Sequence, residues 1–309
     1  MGWSMITYVL TGIFRSPAKV LVNTVNTVGV MGKGIAKEFK DYYPEMFTKY
    51  QRLCERGEFQ VGQLWLFKTP RKWILNFPTK QHWRQPSRPE YIEAGLEKFV
   101  NTYAENSITS ISFPMLGCGN GELDWEQTAQ PLMVRYLKKL PIEVLVHLRG
   151  QDPFPPEHRD PAAMKMWLRS EPESLAFTEI WDDLCEIIRN QRDFHTLDRN
   201  VSFAVETVSQ PQSGIMIEST GESFVVSRDA LLDLWQQIRS MGFCMERTMP
   251  SGLDRYASYI VALLANLVYF TPIKLAKQDT NRSSWAIGLR LMPREHTQTP
   301  PPLQVVERV

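Results

Sequence analysis

Leu21-Val22-Asn23-Thr24-Val25-Asn26-Thr27-Val28-Gly29-Val30-Met31-Gly32-Lys33-Gly34-Ile35-Ala36 joins a buried-strand signal, two asparagines and three glycines within one short segment. Val20, Leu21 and Val22 form an apolar run suited to a strand covered on both faces, and the asparagines follow where that strand would emerge. Gly29, Gly32 and Gly34 can take positive φ and let the backbone approach a ligand closely. A helical pattern starts at Ile35-Ala36-Lys37-Glu38-Phe39, and the first N–H groups of a helix lack intrahelical partners. The segment therefore predicts a strand, an anion-gripping turn and a helix, most simply a phosphate cradle. A tight connection without a ligand has the same pattern. The spacing is neither G-x-G-x-x-G nor a P-loop ending in Lys-Ser/Thr, which argues against dinucleotide dehydrogenases and nucleoside triphosphatases.

Outward from this segment, residues 1–150 alternate strand-like and helix-like stretches. Strands are expected near 5–10 and at 20–23, 63–68, 73–77, 110–114 and 142–148, with helices at 34–47, 88–101 and 125–138. Such alternation predicts an α/β fold with a mainly parallel sheet and helices on both faces. Ligands in such sheets collect beyond the carboxyl ends of the strands, so the loops after Asn23, Phe77 and Phe113 should share one cleft.

The chain has 309 residues, enough for two ordinary domains. Arg149-Gly150-Gln151-Asp152-Pro153-Phe154-Pro155-Pro156-Glu157-His158-Arg159-Asp160-Pro161 carries four prolines and should exclude regular structure, which places a linker at 150–163. Beyond it, helices are expected at 174–190, 227–241 and 254–267, with strands at 202–208, 214–218, 223–226, 269–275 and 284–291. Ser227 is the expected N-cap of the second helix. These elements describe a smaller α+β domain over 164–296, followed by an extended or disordered tail at 297–309.

The net charge of +1 hides a division. Residues 1–150 hold 19 Lys/Arg against 13 Asp/Glu, and the remainder holds 16 against 21. A basic first half suits a phosphate-rich ligand or nucleic acid, and an acidic second half suits a basic protein partner. The four cysteines, Cys54, Cys118, Cys185 and Cys244, form no C-x-x-C pair and have no His at a zinc-ligand offset, so reduced thiols and no metal are expected. The longest apolar run, 259–270, is shorter than the ~20 residues of a membrane span, and a cytoplasmic protein without membrane partners is expected.

The second loop, Asn76-Phe77-Pro78-Thr79-Lys80-Gln81-His82-Trp83-Arg84, puts a lysine at a strand's carboxyl end. There Lys80 can clamp phosphate or ribose, or act as a base or nucleophile toward an anomeric carbon; a solvated surface amine is the plain alternative. His82, Trp83 and Arg84 together suit a nucleotide-binding rim, although Trp83 fits a core position equally well. The third loop, Phe113-Pro114-Met115-Leu116-Gly117-Cys118-Gly119-Asn120-Gly121-Glu122-Leu123-Asp124-Trp125, is a second glycine-rich connection into a helix, with Asp124 as N-cap. Amides from the two glycine loops can grip a diphosphate from opposite sides. Cys118, without a basic neighbour in sequence, reads as a small packing residue.

At these three loops the chain resembles the macrodomains, the α/β/α modules that bind ADP-ribose, and more narrowly the macrodomain of the DarG antitoxins. The resemblance covers about residues 5–148, within an expected domain of residues 1–149. It implies removal of ADP-ribose from ADP-ribosylated thymidine in DNA, reversing a DarT-type toxin, with no cofactor and with ADP-ribose as substrate moiety and product. It implies Lys80 as the catalytic residue. Asn23 and Asn26 would lie near the distal ribose, and Gly32, Gly34 and Ile35 against it and the diphosphate. Leu116, Gly117, Cys118, Gly119, Asn120 and Gly121 would close over the phosphates. Thr79 would join them, Gly12 and Ile13 would meet the adenine, and His82, Trp83 and Arg84 would contact DNA or the base. Macrodomains usually carry an acidic residue directly after the glycine that ends their first strand, and Thr11-Gly12-Ile13-Phe14 has none, so weaker ADP-ribose binding is expected. A non-catalytic ADP-ribose reader, or a protein neutralising a toxin through residues 164–296, are the competing functions.

Overall fold

The computed structural model of the chain describes residues 6–148, 155–210, 212–276, 285–292 and 304–305. It divides into two compact units, Met1–Lys165 and Met166–Val309.

In the first unit the strands are β1 (Ile6–Val9), β2 (Val20–Val25), β3 (Trp65–Lys68), β4 (Trp73–Pro78), β5 (Ser110–Pro114) and β6 (Glu143–His147). They form one sheet in the order β1-β6-β5-β2-β4-β3, parallel throughout except where β3 runs antiparallel to β4. The helices are α1 (Gly34–Tyr42), α2 (Pro44–Glu55), α3 (Pro89–Thr102) and α4 (Gln130–Leu137). Side chains alternate across a strand, so the apolar runs of the central strands feed two cores. Val20, Val22, Leu75 and Phe77 face Ile92, Leu96 and Phe99 of α3 and Met133 and Leu137 of α4. Leu21, Val25 and Ile74 face Phe39 of α1 and Met46, Phe47 and Tyr50 of α2. The result is the expected α/β/α sandwich. One tight point is Gly95 of α3, where an added Cβ would meet the Phe77 ring at 2.2 Å.

The helix expected over 34–47 is two helices. Tyr43, with φ −135° and ψ 64°, leaves the helical region because the ring of Pro44 crowds an α conformation before it, and Pro44 then opens α2 as its first residue. The helix expected over 125–138 begins as a π turn, Trp125–Ala129, and continues as α4. Asp124 caps it as expected, its carboxylate accepting from the Gln127 amide at 2.6 Å.

The segment 150–163 does not lack regular structure. Residues 149–154 lie outside the described residues, but Glu157–Arg159 is a 3₁₀ turn and α5 (Pro161–Ser170) starts within the expected linker. A proline whose φ is preset and whose missing N–H would be unpaired in any case suits a first helical position, so Pro161 opens a helix instead of preventing one.

The second unit contains α6 (Phe177–Asn190), then β7 (Asp193–His195), β8 (Ser202–Val208), β9 (Gly214–Ser219) and β10 (Glu222–Ser227), an antiparallel sheet in the order β10-β9-β8-β7. Thr220 and Gly221, both at positive φ, make the two-residue turn between β9 and β10. Next come α7 (Arg228–Met241), β11 (Phe243–Met245), α8 (Ala257–Leu264), β12 (Phe270–Ala276), β13 (Trp285–Leu291) and β14 (Gln304–Val305), with sheet order β11-β13-β12-β14. Ser227 caps α7 as expected, accepting from the Ala230 amide at 3.1 Å, and Gly242 at φ 79° ends it. The short strands β7 and β11 were not legible in the sequence. Of the tail expected over 297–309, only 304–305 lie within the described residues, paired alongside β12.

Candidate active site

The carboxyl ends of β2, β4 and β5 open on a cleft of about 710 Å³. Its first wall is the turn after β2. Asn26 organises that turn from inside: its Oδ1 accepts from the Val28 and Val30 amides, and its Nδ2 donates to the Val30 carbonyl at 2.7 Å. From α2, the Tyr50 hydroxyl donates to the Asn26 carbonyl at 2.8 Å and the Gln51 amide to the Gly29 carbonyl at 3.2 Å. The second helix, which the sequence reading ended too early, is thus the brace of the ligand loop. Gly29 and Gly34 have φ of 82° and 56°, as the glycine pattern predicts, whereas Gly32 is not among the positive-φ positions. The first turn of α1 has neither a side-chain cap nor an acidic residue. Gly34, Ile35 and Ala36 line the cleft, so the helix presents unsatisfied N–H groups and its positive dipole end to an anion there.

The opposite wall is the turn after β5, where Gly117 and Gly119 adopt φ of 70° and 52° and Gly119–Gly121 forms a 3₁₀ turn. The two walls approach each other at Gly34: an added Cβ would lie 2.6 Å from the Asn120 side-chain nitrogen. The Asn120 side-chain oxygen is buried and has no hydrogen-bond partner among the described residues. The loops are tied to one another. Thr27 donates from both its amide and its hydroxyl to the Gln81 carbonyl, and the Ser87 amide donates to the Gly121 carbonyl at 2.9 Å.

Lys80 stands two residues beyond β4 and is buried, with only 5% of its surface exposed. Its Nζ donates to Glu157 Oε1 at 3.1 Å. Glu157 comes from the 3₁₀ turn after the unit's last strand and also lines the cleft. Burial pushes its carboxyl above the ordinary carboxylate range, with Lys80 pulling in the other direction. The segment is fastened at both sides: the Pro155 carbonyl accepts from Lys33 Nζ, His158 Nε2 lies 2.7 Å from Glu122 Oε2, and Arg159 reaches Glu122 Oε1. Glu122, in a left-handed conformation at the end of the glycine turn, has its carboxyl pulled below the usual range by the His158 hydrogen bond first and by Arg159.

Thr11, Gly12, Ile13, Phe14 and Arg15 line another part of the cleft. This corner is set from below by a polar relay. His147 Nδ1 lies 2.8 Å from the Thr11 carbonyl, its Nε2 3.2 Å from Ser112 Oγ, and Ser112 Oγ 2.6 Å from Ser16 Oγ.

Of the residues singled out from sequence, Gly12, Ile13, Asn26, Gly32, Gly34, Ile35, Thr79, Lys80, Gly117, Cys118, Gly119, Asn120 and Gly121 line this one cleft. Asn23, Leu116, His82, Trp83 and Arg84 do not. Asn23 is fully buried and donates to Asn76 Oδ1 at 2.9 Å; Leu116 is fully buried in the core of the α3 and α4 face. The stacking ring expected of Trp83 is corrected: it is fully buried, and Arg84 lies over it at 4.5 Å while also bonding His82 at 3.2 Å. An exposure of 0% leaves no ring face for a base. Cys118 is half-buried, and burial pushes its thiol up to about 12, in keeping with a packing residue. Sequence reading missed Glu157, Lys33 and His147. For Glu157 a signal existed: an acid, an imidazole and a guanidinium follow Pro155-Pro156 directly, a chemical density unusual for a spacer. Among the described residues, no group of three His, Cys, Asp or Glu side chains is placed to hold a metal ion, and no helix is long and apolar enough to cross a membrane.

Residues 22–132 match the Macro domain family, and the first half of this chain is a macrodomain. Within that class it is similar to the DarG type. A DNA ADP-ribosyl glycohydrolase of Mycobacterium tuberculosis is 46% identical over 147 residues, covering 46% of this chain and 42% of that protein. The solved macrodomain of Mycobacterium tuberculosis DarG is 45% identical and matches 47% of this chain and 99% of its own, with a TM-score of 0.46. Thermosipho africanus DarTG in complex with ADP-ribose is 37% identical over 48% of this chain and 43% of that one, with a TM-score of 0.45. The chain thus spans less than half the length of the curated relative it matches.

Proposed function

We propose that this protein removes ADP-ribose from ADP-ribosylated thymidine in DNA, in the cytoplasm, as the antitoxin of a DarT-type DNA ADP-ribosyltransferase. The observation that carries the reading is Lys80: a buried ammonium group in a cleft whose two opposite walls are a helix N-terminus and a glycine turn. The similarity to a DNA ADP-ribosyl glycohydrolase favours the same chemistry. In this reading the α1 amides and the turn 117–121 hold the diphosphate by backbone dipoles, and Lys80 acts at the anomeric carbon that joins ribose to the thymine base. Gly12 and Ile13 receive the adenine. Residues 1–149, with the cleft-lining turn at Glu157, supply the enzyme, and the acidic residues 164–296 supply the surface for the toxin.

The test is release of free ADP-ribose from an ADP-ribosylated thymidine oligonucleotide by the wild-type protein and by Lys80→Ala. The expected result is turnover by the wild type and its loss in the variant by about a thousand-fold, with ADP-ribose binding retained. Equal turnover in both removes Lys80 from the chemistry, and binding without turnover in the wild type makes the protein a reader.

A further inference from the structure

We infer that Glu157, delivered into the cleft from beyond the last strand of the macrodomain sheet, is the positioning and proton-accepting partner of Lys80; this rests on the glycohydrolase reading above. Three observations converge on it. Glu157 Oε1 and Lys80 Nζ lie 3.1 Å apart with side chains only 9% and 6% exposed, and Glu157 lines the same cleft as the glycine turns. The turn that carries it is held on both walls, by Lys33 at Pro155 and by Glu122 at His158 and Arg159, which fixes the carboxylate instead of leaving it to solvent. Burying two charges is costly, and a pair kept at the lining of a cleft points to use of its proton.

The Lys80 ammonium gives one proton to the Glu157 carboxylate and becomes a neutral amine. Its lone pair forms a bond to the anomeric carbon while the bond from that carbon to the thymine nitrogen breaks, the bonding pair leaving with the base. The base then takes the proton held by Glu157, which restores the carboxylate beside a lysine that carries ADP-ribose on a secondary ammonium. Water releases ADP-ribose and returns Lys80 to its starting state. The charged and titratable groups that act on Glu157 are Lys80, Lys33, His158 and the Tyr50 hydroxyl. Burial raises the carboxyl, which brings its proton affinity closer to that of an amine.

The test uses the full chain and Glu157→Gln, whose amide oxygen still accepts from Nζ but takes no proton, with Glu157→Asp as the conservative control. For turnover on ADP-ribosylated oligonucleotide, Glu157→Gln is expected to lower kcat by about 100-fold with KM within a few-fold, to erase the acid limb of the kcat–pH profile, and to be partly rescued in Glu157→Asp. A second readout needs no DNA: free ADP-ribose, through its open-chain aldehyde, forms an imine with Lys80 that borohydride reduces, seen as one added ADP-ribose by intact mass. Glu157→Gln is expected to slow this trapping by at least about tenfold while binding ADP-ribose as tightly as the wild type. Absent turnover in the wild type with trapping dependent on Glu157 sinks the DNA substrate and leaves the Lys80–Glu157 pair standing. Unchanged trapping and turnover in Glu157→Gln overturn the proton role. Loss of ADP-ribose binding in both variants overturns it too, by making Glu157 a strut of the cleft.

Discussion

The two units of this chain each contain a buried ion pair, and the contrast between them separates a site from a fastening. In the first unit Lys80 and Glu157 meet at the lining of a cleft of about 710 Å³ that the uncapped first turn of α1 also lines. In the second, Arg169 of α5 bonds Asp183 through Nε at 2.8 Å and reaches the fully buried Glu179 at 3.5 Å, while the Tyr269 hydroxyl donates to Asp183 at 3.3 Å. There one guanidinium is shared by two carboxylates, whose hydrogen bonds and charge hold it above its ordinary proton affinity in spite of burial. That cluster joins its donors and acceptors to one another. Buried charge alone is therefore a poor marker of chemistry; buried charge beside unsatisfied backbone dipoles and open volume is a better one.

Arg169→Ala should give the largest structural effect, because it strands the fully buried Glu179 and the partly buried Asp183. It should destabilise the second unit by about 3–5 kcal/mol in chemical denaturation while ADP-ribose affinity stays within a few-fold of wild type. A small stability loss would mean that the cluster is as functional as the Lys80 pair and would break the comparison. Gly34→Val should act in the opposite sense. A side chain at φ 56°, with Asn120 2.6 Å from its Cβ, pushes the two glycine walls apart, and calorimetry should show ADP-ribose binding weakened by about 10- to 100-fold. Intact binding there would remove the α1 N-terminus from the ligand site.

Cys118 gives the smallest effect and sharpens the cleft itself. Its thiol, pushed up to about 12 by burial, holds little thiolate at pH 8, where an ordinary thiol is partly ionised. Alkylation of Cys118 in the native protein at that pH should be at least about tenfold slower than in the unfolded chain, read by mass spectrometry of the modified peptide. Fast alkylation would mark it as a reactive group of the cleft and not a packing residue.

The central strands and the glycine turns were legible in sequence because their signals are local. Val20 to Val22, the positive-φ glycines at 29, 34, 117 and 119, and the caps Asp124 and Ser227 each announce themselves within a few residues. What escaped was non-local. Tyr50 and Gln51 lie in a helix after Pro44, and only the tertiary structure shows that they brace Asn26 and Gly29. Trp83 could be read as a rim or as core, and only packing decides for core. Glu157 was hidden most effectively, because prolines around it read as a spacer while the chain in fact turns back, 77 residues beyond Lys80, to place a carboxylate on its Nζ.

Lys80 is in this reading a reacting group and not merely a cation for the diphosphate. The most direct measurement is single-turnover release of ADP-ribose from an ADP-ribosylated thymidine oligonucleotide, alongside ADP-ribose affinity, for wild type and Lys80→Ala. The account predicts a loss of release of about a thousand-fold with affinity changed by less than about tenfold. Affinity and release falling together by the same factor would make Lys80 a binding residue and contradict it.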